Sequence, residues 1–183
     1  MTRRSSRRLL TVTGAAALVA ALAACSGGQP GAAAVVGDRV VSSADVDTAT
    51  RELGDVLQGV TQSAIVGVLV QEPLVVGAAQ DAGVGVSPEQ AGDALQQQVA
   101  AAGGDEDREF SESSVDVMRY VLSLQALQGA SDAEQRLTAL QEDLSSLDFT
   151  INPRFGTRTD EGTIGATTYP WLVAQDAAAD ATP

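Results

Sequence analysis

The chain predicts a mostly α fold, a helical bundle carrying a small β element, on three observations. A β-branched hairpin signal stands at residues 35–41, five stretches between 43 and 147 carry helical apolar spacing or helix punctuation, and residues 148–157 switch to a two-residue period. The hairpin and the C-terminal strand are expected to join in one sheet. A lone two-stranded hairpin is marginal in water, so a third strand has a reason to pair with it.

Residues 1–24 read as an export signal. "MTRRSSRR" is basic, "LLTVTGAAALVAALAA" is apolar, and small residues precede Cys25. Sixteen apolar-stretch residues at ~1.5 Å each cover about 24 Å, short of the ~30 Å core of a bilayer. A permanent membrane span is therefore the weaker reading. Arg7-Arg8 has the look of a twin-arginine signal, but "SRRLLT" lacks the usual Phe and Lys, and the general secretory route is preferred. Residues 25–34, the cysteine and then "SGGQPGAAA", form a tether of small residues with one Pro.

The domain proper is expected over 35–157. Val35-Val36 and Val40-Val41 flank Gly37-Asp38, a Gly-containing two-residue loop suited to a tight hairpin. Ser42 or Ser43 can cap the first helix, with Asp45 in its first turn and Val46, Ala49, Leu53, Val56 and Val60 on one stripe. The second helical stretch, "QSAIVGVLVQEPLVVGAAQDAG", is apolar on nearly every side and so belongs among other helices. Pro73 should kink or split it, and Gly83 suits its end. Ser87, Pro88 and Gln90 give the clearest helix start, a capping box with proline at the first position, followed by the stripe Ala91, Leu95, Val99. After the Gly-then-acid connection 101–114, Val115, Met118, Val121, Leu122 and Leu124 offer a broad apolar face. Ser131 with Glu134 spells a further capping box before Leu137, Leu140, Leu144 and Leu147. Phe149 and Ile151 alternate with polar neighbours until Pro153 ends the strand. Residues 158–183 are a weakly ordered tail, although Tyr169, Trp171 and Leu172 could pin one turn to the body.

Composition excludes much. There are 183 residues, no His, one Cys, 11 basic residues that are all Arg, and 24 acids. Once the signal is cut, seven Arg face 24 acids, a net charge of −17. Nucleic acid is not an expected partner, because its binding needs clustered basic side chains. Without His or a second Cys there is no Ser-His-Asp triad, no redox pair and no His- or Cys-based metal site. The acids of 105–112 do not have the spacing of an EF-hand. No catalytic residue, cofactor or metal is assigned, and the chain is not expected to be an enzyme.

Leu22, Ala23, Ala24 and Cys25 resemble the lipobox of bacterial lipoproteins, in which the thiol receives a diacylglyceryl group and the signal is cut between Ala24 and Cys25. The alternatives are a buried thiol, or a secreted protein with an unpaired one, a liability in an oxidising compartment that lipidation removes. The resemblance implies a lipoprotein held on the extracytoplasmic face of the cell membrane by its lipid anchor, a palmitate-type acyl group among its chains.

The succession of lipobox, "AAVVGDRVVSSADVD", apolar helix, "AAQDAGVGVSPEQ" and "FTINPRFGT" is similar to the N-terminal chaperone module of the SurA and PrsA group, and to actinobacterial lipoproteins that carry this SurA N-terminal domain. It covers roughly residues 33–157. In that group a parvulin isomerase domain interrupts the module before its final helix and strand, here at "QGAS", 128–131, but this chain has no such insertion and no His to serve one. The resemblance implies a SurA-like chaperone of the periplasm or its equivalent, which binds unfolded or exported polypeptides without prolyl isomerase activity. The faces around Ile65, Leu69, Met118 and Leu122 are the candidate peptide-binding residues. The alternative is a non-enzymatic scaffold lipoprotein with one specific cell-envelope partner. An exposed apolar patch would separate the two.

Overall fold

The computed structural model describes residues 29–105, 107–159 and 163–165. Five helices and five short strands follow one another as β1 (Ala32–Val36), β2 (Arg39–Ser42), α1 (Ser43–Gly54), α2 (Gln62–Asp81), α3 (Pro88–Ala101), α4 (Glu112–Gln128), α5 (Ala133–Ser146), β3 (Thr150–Ile151), β4 (Thr157–Arg158) and β5 (Ile164–Gly165). The expected class holds: the chain is mostly helical with a small antiparallel sheet.

The hairpin forms as its sequence directs. Gly37 takes φ 55° at the first central position, a conformation that costs glycine little, and Val35 faces Val40 while Val36 faces Arg39. β3 pairs with the free side of β1, Ala34 against Ile151 and Val35 against Thr150, so the strand order is β2-β1-β3. Asn152 fastens this return, donating from its backbone to the Ala33 carbonyl (2.8 Å) and from its side chain to the Ala32 carbonyl (3.3 Å). The sheet begins three residues before the expected domain start, since Ala32, Ala33 and Ala34 are buried strand residues and not tether. Small side chains there let helices lie close on the sheet.

Helix starts obey local chemistry at four places of five. Ser42, Thr61, Ser87 and Ser111 each accept a hydrogen bond from a backbone N–H of the first turn, and Ser87 with Gln90 completes the capping box. The fifth departs from expectation. α5 begins at Ala133, so Glu134 stands at the second helical position instead of the third, and the Ser131–Glu134 box does not form. Asp132, at the cap position, spends its carboxylate on Arg136 Nε (2.8 Å).

Three other expectations need correction. α1 stops at Gly54, so its buried stripe is Val46, Ala49 and Leu53, while Val56 and Val60 are half-buried in the connection. Pro73 does not split α2, which is one element of 20 residues. A proline at 73 cannot donate to the carbonyl of residue 69, and the structure replaces the missing donor: Arg39 Nη1 reaches the Leu69 carbonyl at 2.8 Å. On α4 the buried set is Ser113, Ser114, Val117, Met118, Ser123 and Leu127, whereas Val115, Val121, Leu122 and Leu124 are only half-buried. Small serines take the inward positions because α4 is packed on by α1, α2, α3 and α5.

α2 is long and apolar enough to cross a membrane by length and composition, yet here it is the central helix, packed against α1, α4, α5 and β1. One core joins the sheet, α1, the first half of α2, α3 and α4, and includes Val46, Leu53, Val66, Leu95, Met118 and Phe155. A smaller one joins the second half of α2, the end of α4 and α5 through Val75, Ala79, Leu127 and Leu140. β4 and β5 make a second two-stranded sheet that runs from the end of the expected domain into the expected tail. Gly156 opens it at φ 144°, where a Cβ would stand 2.7 Å from the Gly165 carbonyl oxygen. The signal, Ala24, Cys25 and the trio Tyr169, Trp171, Leu172 lie outside the described residues.

Candidate polypeptide-binding site

The four residues proposed for peptide contact do not form an open face. Ile65, Leu69 and Met118 are 3%, 2% and 1% exposed and belong to the main core, with Leu122 half-buried against it. The all-round apolar character of α2 is spent on its neighbours. Among the described residues Val40, at 41%, is the one exposed large apolar side chain.

A groove does exist, one helix further along. α2, α4 and α5 meet around a depression of about 270 Å³ lined by Val75, Tyr120, Leu124, Leu137, Leu140 and Leu144. Leu140 is buried, while Tyr120, Leu124, Leu137 and Leu144 are half-buried. The Tyr120 hydroxyl donates to Gln71 Oε1 at 3.2 Å, and burial pushes this phenol upward from its ordinary range. The site is thus apolar with a neutral polar rim. It can take up an aliphatic or aromatic side chain by covering carbon that α5 leaves half-wet. The leucines at 137, 140 and 144 carry the spacing of a packed stripe, and only the tertiary structure shows that their partner helices cover half of it.

Two clusters of charge flank the core. At the α1–α4 junction Glu52 Oε2 accepts from the Ser111 backbone N–H (3.0 Å), the Ser111 hydroxyl (2.7 Å) and the Ser114 hydroxyl (2.6 Å). Burial works to raise this carboxyl, but the bonds from Ser114 and Ser111 and the charge of Arg108 outweigh it and hold it below its usual range. A carboxylate is thereby placed at the positive end of α4. Between β2, α2 and α4 lies the second cluster. Buried Glu72 is 3.7 Å from Arg39 and 3.4 Å from Arg119, and Asp116 is 4.0 Å from each. Burial, together with neighbouring Asp116, pushes Glu72 upward against the pull of the two arginines. Asp116 is likewise raised, chiefly by burial. Its cavity of about 210 Å³ is walled by Arg39, Val40, Asp45, Glu112 and Asp116.

Among the described residues no three His, Cys, Asp or Glu side chains converge as a metal cage. Glu52 is used up as a cap, and Glu72 as the counter-charge of two arginines.

The fold and groove define a class: a mostly helical domain, closed by an N-terminal hairpin and its C-terminal strand, with a small apolar cleft between helices. Neither a family model, nor a curated protein, nor a solved structure matches the chain.

Proposed function

We propose that the chain is a lipoprotein anchored through Cys25 on the extracytoplasmic face of the membrane, and that its helical domain binds unfolded or exported polypeptides without prolyl isomerase activity. The observation that carries the reading is the groove between α2, α4 and α5, whose half-buried leucines and Tyr120 offer apolar cover to a guest side chain. Element order agrees with the resemblance to the SurA N-terminal module. A final helix and strand follow residues 128–131, and that strand closes on the first.

The test joins anchor and groove. Cys25→Ala should abolish acyl labelling and leave unprocessed precursor or released protein; unchanged detergent partitioning and size would sink the anchor. A photo-crosslinker at Leu137 should trap an unfolded exported client added to the purified protein, and the protein should slow that client's aggregation. If neither occurs, client binding is lost as a function.

A second reading is a scaffold lipoprotein with one cell-envelope partner. It is favoured by the narrowness of the groove and by the scarcity of exposed large apolar side chains among the described residues. A single stoichiometric crosslink in cells, without aggregation suppression, would select it.

A further inference from the structure

The apolar groove and the charged cavity are joined by one face of α4. Asp116, Tyr120 and Leu124 follow at four-residue steps, which places them along a single stripe of the helix. Asp116 walls the charged cavity, and Tyr120 and Leu124 wall the groove. On α2 the same order holds, with Leu69 at the cavity and Gln71 and Val75 at the groove.

The cavity is short of positive charge. Asp45, Glu112 and Asp116 face it with one guanidinium, that of Arg39, which is already engaged by the Leu69 carbonyl and by Glu72. A cation arriving there would meet Asp45, whose carboxylate accepts from the Ser42 hydroxyl at 2.7 Å, and Glu112, neither of which has an arginine within 4.0 Å among the described ion pairs. Asp116 has its arginines only at 4.0 Å, longer than a hydrogen-bonded pair. We infer that the groove selects polypeptide segments in extended form that carry an Arg or Lys about four residues from the apolar side chain it holds, with the basic group entering the cavity walled by Asp45, Glu112 and Asp116. The spacing follows from geometry. Eight residues of helix between Asp116 and Leu124 rise ~12 Å, and an extended chain covers that in about four residues at ~3.3 Å each.

Charge also decides among occupants. Beyond Arg158 the chain's own C-terminal segment has no basic residue at all, and a second copy, once its signal is cut, brings a net charge of −17 toward three carboxylates. A basic segment of another polypeptide is the complementary guest.

This inference rests on the groove being a polypeptide site, so its experiment separates the two. Short fluorescent peptides, neutral and polar except for one Leu and one Arg four positions apart, are titrated against the full-length chain in detergent micelles. Counterparts carry Glu for the Arg, or Ala for the Leu. The Arg peptide should bind about tenfold tighter than the Glu peptide, and the gap should shrink as salt is raised. Glu112→Gln, an exposed change whose folding is checked by melting, should narrow the preference several-fold, and Leu144→Asp should weaken both peptides. Equal binding of the Arg and Glu peptides, or a preference that Glu112→Gln leaves unchanged, overturns the inference while the groove stands if Leu144→Asp still weakens binding. Binding of no peptide, or binding indifferent to Leu144→Asp, overturns the groove and the inference together. A dimer that the peptides dissociate would make the guest a second copy and overturn it too.

Discussion

The two ends of the helical domain are built to different standards. Around α1, α3 and the first half of α2 the core is dry: Val46, Leu53, Val66, Leu95, Met118 and Phe155 are all less than 2% exposed, and each helix there starts on a hydrogen-bonded cap. α5 buries one residue of 14, Leu140, and starts without a side-chain cap bond. A dry joint has no surface left to offer. Where α5 lies, apolar carbon is half-covered, and a guest that completes the cover gains about 25 cal/mol for each Å² removed from water without any helix having to move. Loose packing at one end therefore supplies a site that tight packing at the other forbids.

The comparison breaks first at Phe155. Phe155→Ala should cost about 4 kcal/mol in urea unfolding, since a fully enclosed ring leaves a cavity that the main core around it cannot refill. A loss near zero would mean that the sheet end is no tighter than α5. Next is Leu140→Ala, expected to cost about 2 kcal/mol, less than the ring because the side chain is smaller and its half-buried neighbours Leu124, Leu137 and Leu144 can relax. Hydrogen exchange should then quicken in α5 before it does in α1.

Glu52→Gln comes third, at about 1 kcal/mol near neutral pH, because a neutral amide keeps an acceptor but loses charge-assisted bonds to Ser111 and Ser114. Its pH dependence sharpens the contrast. A carboxyl held below its ordinary value in the folded state contributes stability above the unfolded value, and that contribution disappears as pH falls through the folded one. The variant should thus lose less stability than the parent on acidification below about pH 4. Glu72 and Asp116, both raised, act with the opposite sign: their contribution is full below the unfolded value and declines as pH rises through the folded one. An acid profile identical in parent and Glu52→Gln would show that the cap is not a folding element. The smallest effect on stability is expected at the groove. Leu144→Asp should change unfolding by no more than about 0.5 kcal/mol, as for a surface substitution, while removing peptide binding.

What could be read from the chain and what could not divides along the same line. The hairpin at Gly37-Asp38, the Ser87 box and the return of the strand at Ile151 depend on residues whose local chemistry has few alternatives, and each stands where expected. Pattern failed where tertiary partners decide. The apolar face of α4 was expected at Val115, Val121 and Leu124, but four neighbouring helices make its inward positions narrow enough for Ser113, Ser114 and Ser123. Ile65, Leu69 and Met118 looked equally suited to core or groove, because hydrophobicity alone does not say whether a side chain is covered by its own fold. The groove was hidden for the same reason: Leu137 and Leu144 have the spacing of packed residues and differ from them only in how far α5 stands off.

The proline of α2 and the arginine of the hairpin are coupled through one carbonyl. Pro73 leaves the Leu69 carbonyl without its helical donor, and Arg39 supplies one from another element. Without Arg39 that carbonyl is an orphan acceptor, whereas without Pro73 the guanidinium keeps Glu72 and Asp116 as partners. Substitutions at 39 and 73 should accordingly be non-additive, the loss of Arg39 costing less once residue 73 can donate to the Leu69 carbonyl. A lineage can therefore acquire proline at 73 most easily where residue 39 already supplies the donor.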